Sequence, residues 1–271
     1  MRKLWMAVAG AVVIAVAVAG IASAVNTYDV HLAASKPANK KGKLTKPVPA
    51  SFKFGYRVDD TEDQRPFVIK EYRIAGEGLQ TYPDARPTCT FDEANANASS
   101  HDPACNKAVV GSGTIANEAG APNDRSQKLP CNVELTLINI SSGDPREPKT
   151  GKQIKKRGGI AIRIDTDPPA CPIPVHSALA APYYDVKIDG ISSAELRFSV
   201  PNELAHPGGL DNAVVEVTSN IQKKTGMARV KGGDRRKVGF YSLVGRKGKK
   251  RTVRVTFIDE SGAKSTDTAQ D

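Results

Sequence analysis

Little in this chain invites catalysis. Tryptophan occurs once, at Trp5, and aromatic residues make up 6% of the chain. Glycan-cleaving β folds usually line their clefts with aromatics, so this shortage counts against a glycosidase. Paired carboxylates for such chemistry meet only through the fold and stay open. No GxSxG elbow and no HExxH are present. The four histidines, His31, His101, His176 and His206, are scattered. None of the four cysteines forms a CxxC, which argues against thioredoxin-like chemistry. A zinc site would need close pairs of Cys or His, and His101 before Cys105 has no second such pair. KTG occurs at 149–151 and 224–226, and Ser261 to Lys264 fits SxxK. In penicillin-interacting serine enzymes that serine precedes KTG and an SDN follows; here the order is reversed and SDN is missing. No catalytic residue, metal or cofactor is therefore expected. After residue 25 no apolar run approaches the twenty residues that cross a bilayer.

What is present begins with MRKLWMAVAGAVVIAVAVAGIASA. Arg2 and Lys3 precede an uncharged run that ends in Ala22-Ser23-Ala24, the small-x-small pattern of a signal peptidase site. Residues 1–24 read as a signal peptide cleaved after Ala24. The rival is a retained anchor, since the run is long enough to span. Gly10, Gly20, the Ala and Val content and the lack of a following basic cluster favour cleavage. No cysteine stands at the cut, which argues against a lipoprotein. Export implies an oxidising compartment, where Cys89, Cys105, Cys131 and Cys171 read as disulfides. Three pairings are open. The short polar loop between Cys89 and Cys105 favours that pair, leaving Cys131 with Cys171. Closing the first loop would contribute about 3 kcal/mol in the chain-entropy model.

From residue 25 onward, period-two alternation dominates. Phe52, Phe54, Tyr56 and Val58 alternate with Ser51, Lys53, Gly55 and Arg57; Val133, Leu135 and Leu137 do the same, as do Ile160, Ile162 and Ile164. Leu196, Phe198 and Val200, then Val253, Val255 and Phe257, continue the pattern. Strands are also expected at 28–32, 68–74, 108–115, 185–188, 213–221 and 236–244. Turn signals separate them, including Gly143-Asp144-Pro145 and Pro207-Gly208-Gly209. One short helix is expected over 91–98, with Thr90 as N-cap. About eleven short strands without helical crossovers predict an all-β, antiparallel, disulfide-stapled sandwich, immunoglobulin-like or jelly-roll-like, over 25–260. Residues 261–271 read as a polar, frayed tail. The lysine-rich stretch 36–46 reads as a solvated loop.

The charge is unevenly placed. The formal net charge is +10, and removal of Arg2 and Lys3 leaves +8. From Gln222 to Arg254 there are thirteen Lys or Arg against one acid, Asp234, so the rest of the exported chain is net acidic. Lys223, Lys224, Arg235, Arg236, Arg246, Lys247, Lys249, Lys250 and Arg251 are the candidate anion-binding residues. Such a cluster concentrates anionic envelope polymer or lipid headgroups. The plainer reading is protection of strand edges. Nucleic acid is disfavoured, because only Phe240 and Tyr241 lie in the stretch and a single-strand binder needs several stacking aromatics. The loop LAHPGGLDNAVVEV brings His206, Asp211 and Asn212 together, where Asp and Asn more often satisfy a turn than hold a ligand. The acids Asp59, Asp60, Glu62 and Asp63 read as a solvated hairpin end.

The segments PTCTFDEANA, DPACNKAVVGSGT, LPCNVELTLIN, PPACPIPV and AHPGGLDNAVVEV resemble those of a group of exported, β-rich actinobacterial proteins. The resemblance spans nearly the whole exported chain. It implies export and paired cysteines, and it supplies no activity and no site. The expectation is an exported, non-enzymatic binding or structural protein at the cell envelope. The alternatives are a secreted hydrolase of envelope polymers and a subunit of a surface assembly.

Overall fold

A computed structural model describes residues 25–36, 42–96, 103–141, 158–166, 169–245 and 250–271. The chain opens with β1 (Asn26–Lys36), β2 (Val48–Pro49), β3 (Ser51–Asp60), β4 (Ile69–Gly76) and β5 (Leu79–Thr81). Two short helices follow, α1 (Phe91–Ala96) and α2 (Pro103–Asn106), then β6 (Val109–Gly120) and β7 (Leu129–Ile140). Next come β8 (Gly159–Thr166), β9 (Val175–Ile188), β10 (Ile191–Ser199), α3 (Asn202–Ala205) and β11 (Asp211–Ile221). The basic stretch forms β12 (Thr225–Arg229), β13 (Arg235–Gly239) and β14 (Tyr241–Leu243), and β15 (Thr252–Asp259) and β16 (Lys264–Gln270) end the chain.

Eleven of these strands form one antiparallel sheet in the order β1–β3–β11–β6–β7–β8–β9–β10–β4–β15–β16. Its two edges approach each other. The Val30 N–H of β1 donates to Asp267 Oδ2 of β16 at 2.8 Å, and Tyr28 stacks on Phe257 of β15 with centroids 4.2 Å apart. The fold is all-β and antiparallel as expected, but nearly closed and barrel-like rather than a clear two-sheet sandwich. Alternation along a strand reports one buried face; it does not say whether the opposing wall belongs to the same sheet. β9 turns the corner. Its residues 175–182 pair with β8 and its residues 183–188 with β10. Pro182, which has no N–H to give a ladder, stands at the handover.

The alternating residues of β3, β4, β7, β8, β10 and β15 supply the inner face, where Tyr56, Tyr72, Phe198 and Phe257 form an aromatic cluster. A second apolar layer covers the outside of β7 and β8. There α1, α2 and the Cys89–Cys105 disulfide pack on Ile138, Ile140 and Ala161. Cys131–Cys171 is formed as well and joins the inner cluster. Thr90 caps α1 in a reciprocal box: the Glu93 N–H donates to Thr90 Oγ1 at 3.1 Å, and the Thr90 N–H to Glu93 Oε2 at 2.8 Å.

Two further expectations are corrected. Residues 264–270 are not a frayed tail; they pair with β15 along their whole length. KSTDTAQ carries almost no apolar side chains, so its half-buried positions Ser265, Asp267 and Ala269 leave no hydrophobic signal. The run 236–244 is two strands, because the chain folds on itself at Phe240, where the Gly239 N–H donates to Ser242 Oγ at 3.0 Å. β14 then pairs with β2 and β5 in a three-stranded sheet, and β12 with β13 in a separate hairpin. Among the described residues no helix is long and apolar enough to cross a membrane.

Candidate functional site

The basic stretch builds a face from the β12–β13 hairpin. Ala228, Val230 and Val238 turn inward against Ala85 and Tyr82. Gly226 is required there, since a Cβ on it would lie 1.9 Å from Ala85 O. The turn at Gly232-Gly233 has φ of 103° and 91°, a conformation that favours glycine. Packing the small side chains inward leaves Arg229, Arg235 and Lys237 on the outer face, while Arg236 stands opposite Ala228 in the ladder. Lys223, Arg229, Lys231, Arg235, Arg236 and Lys237 are exposed and Lys224 is half-buried. Only Asp234 opposes them within the hairpin, and it pairs with Arg236 at 3.1 Å. On one face Arg229 stands directly opposite Arg235, and Met227, itself 49% exposed, opposite Lys237.

The candidate residues are thus divided. Lys223, Lys224, Arg235 and Arg236 lie on this hairpin or at its start, and Lys250 is exposed farther along the chain. Arg246, Lys247 and Lys249 lie outside the described residues. Arg251 is removed from any surface role. It is 3% exposed, and its guanidinium donates to Glu77 O at 3.1 Å and Val244 O at 3.0 Å. Burial also pulls its pKa down. A run of basic letters cannot reveal that one member turns inward to satisfy two carbonyls.

Other cations join the face that were not singled out in the sequence. A Cβ on Gly232 would stand 4.0 Å from Thr45 Cγ2, so the turn that carries exposed Lys43 and Lys46 sits against the hairpin tip. The lysine-rich segment read as a solvated loop is, in its described part, a neighbour of the basic hairpin. Between the hairpin and β9–β10 runs a polar groove of about 860 Å³, with Arg229, Lys231 and Lys187 on its walls beside Asp84 and Asp185. Phe240 and Tyr241 are buried, at 0% and 5% exposure, and present no ring to a ligand on this face.

Two acidic groups that looked solvated or turn-forming are committed to cations. The side chain of Asp60 is buried; it accepts from the Glu62 N–H at 2.9 Å and from the Arg125 guanidinium. Desolvation is the largest single effect and would raise the carboxyl pKa, but the hydrogen bond and charge of Arg125 together with the N–H groups of Glu62 and Gln64 outweigh it and hold it below the ordinary value. Asp211 lies 3.0 Å from His206 Nδ1 and 3.3 Å from Arg65, whose side chain is fully buried. His206 Nε2 reaches Glu260 Oε1 at 2.6 Å. The hydrogen bond to Glu260, seconded by that to Asp211, raises the imidazole pKa against the opposing effect of burial. When protonated, this imidazole can donate from both nitrogens and clasp the two carboxylates. Asn212 Nδ2 donates to Leu204 O at 3.0 Å, as a turn residue would. Among the described residues no group of three His, Cys, Asp or Glu side chains is placed to hold a metal ion. No family model, curated protein or solved structure matches the chain.

Proposed function

We propose that the protein is an exported, non-enzymatic binding protein held at the cell envelope. It would contact anionic polymer or lipid headgroups through the face built by the β12–β13 hairpin and the Lys43–Lys46 turn. The observation that carries this reading is Arg229 directly opposite Arg235. Like charges opposed across a ladder destabilise it, and edge protection needs scattered charge, not a facing pair. An anion bridging the two guanidinium groups would turn that repulsion into attraction. Export itself rests on residues 1–24 and is supported by the two disulfides, which persist outside a reducing cytosol.

The test is co-sedimentation of the purified protein with isolated cell envelopes at low and high salt. Delipidated envelopes and anionic phospholipid vesicles separate the two sources of phosphate. A variant carrying Arg229→Gln, Lys231→Gln, Arg235→Gln and Lys237→Gln runs alongside. Binding is expected to fall with salt, because exposed charges are screened, and to fall with the variant at low salt. Binding indifferent to both would overturn the reading and leave the hairpin as edge protection.

A further inference from the structure

The barrel-like sheet encloses a cavity of about 190 Å³ whose walls are largely aliphatic and aromatic, among them Val133, Leu135, Ile162, Leu196 and Val217. An apolar cavity of roughly 150 Å³ stays dry and takes a benzene ring, so this one has room for a ring or a short hydrocarbon chain. The apolar lining is broken at two ends: Glu77, Arg251 and Thr252 enter it at one, where the Arg251 guanidinium is already held by Glu77 O and Val244 O, and α3 approaches at the other, between β10 and β11. There Leu204 of α3 and Val200 contribute apolar surface, and two amides enter the wall: Asn117 of β6 and Asn212 of β11. They are diagonal neighbours across one ladder, with Asn212 opposite Ala119 and Asn117 opposite Val214.

The orientation of Asn212 is fixed, because its Nδ2 already donates to Leu204 O. Its Oδ1 and that of Asn117 are buried acceptors with no protein donor, and Asn117 is only 6% exposed. A buried acceptor left unpaired costs about 1–3 kcal/mol. Two of them on adjacent strands, both in the wall of one apolar cavity, are what a ligand's donor would satisfy. A carboxylate would set its charge against both carbonyl oxygens. A neutral hydroxyl or amide N–H would not.

We propose that the barrel interior binds one small uncharged molecule with a hydrocarbon body and a hydrogen-bond-donating end, such as a medium-chain alcohol, its donor meeting Asn117 and Asn212. At that end Leu204 of α3 lines the cavity and meets the ligand, and His206, just after α3, is tied to Glu260 in the turn between β15 and β16. This site is separate from the basic face and stands or falls without it.

The experiment titrates 1-octanol and, separately, octanoate into the purified protein, followed by calorimetry and by ¹⁵N NMR. Saturable one-to-one binding of 1-octanol is expected, with shifts at the amides of Asn117, Asn212 and Val217, and with octanoate at least tenfold weaker. Val133→Phe fills the cavity and should abolish binding. Asn212→Leu keeps the apolar walls and should weaken 1-octanol by about tenfold, the effect of one lost hydrogen bond. No saturable binding to the folded wild type, or octanoate binding as tightly as 1-octanol, would overturn the proposal. So would unchanged affinity in a folded Val133→Phe protein. If that variant does not fold, Asn212→Leu decides: unaltered 1-octanol affinity there overturns the proposal equally.

Discussion

Both ring nitrogens of His206 face carboxylates, an arrangement that two N–H donors satisfy and a neutral imidazole, with one donor, cannot. Its raised pKa therefore becomes a dependence of stability on pH. The stabilisation is complete below the unfolded histidine value of about 6.5 and is lost as pH rises through the higher folded value. The urea midpoint of the wild type should fall as pH rises above about 6.5, and His206→Gln should remove that part of the slope. An identical slope in the variant would show that the clasp contributes nothing. Asp60 gives a second prediction. Arg125→Met strands its buried carboxylate and should cost about 3 kcal/mol, read by chemical unfolding. Neither pair was legible in the sequence. VDDTEDQ looks solvated until a fold brings Arg125 to it from sixty-five positions away, and Glu260 lies fifty-four positions from the histidine it holds.

Elements were legible where an apolar face marks them. β3, β7, β8 and β15 lie where alternating Phe, Val, Leu and Ile place them, and α1 follows Thr90 as its cap. The first half of β9 was hidden because HSALAAP interrupts its alternation with small residues and a proline. β12 was hidden because TGMAR offers only Ala228 to the interior. Within the β12–β13 hairpin the opposition of Arg229 and Arg235 separates a functional from a structural role. Arg235→Thr removes the repulsion and adds a β-branched residue suited to a strand. It should raise stability by about 0.5 kcal/mol at low salt, measured as a higher urea midpoint, while lowering the fraction bound to envelopes. A variant that loses stability would show that Arg235 is held by packing, and the argument from repulsion would fail.

At the scale of the whole molecule, the decisive step is the seam where the sheet meets itself. Pairing order depends on which edges come together, and no local pattern records that β1, the first strand, lies beside β16, the last. The seam is held on one side by a side chain acting as a strand: Asp267 Oδ2 accepts the Val30 N–H at 2.8 Å, a bond an edge amide would otherwise make to water. On the other side Tyr28 lies flat on Phe257, closing the inner face. Asp267→Ala removes the first contact and leaves the second. It should cost about 1 kcal/mol and speed amide hydrogen exchange along β1 and β16, with β6 and β7 at the centre of the sheet unaffected. Uniform acceleration across all strands would mean that the molecule opens only as a whole. Unchanged exchange at Val30 would assign closure to the aromatic stack alone. Because the cavity exists only while the sheet is curled, Asp267→Ala should also weaken any ligand held inside without touching a lining residue.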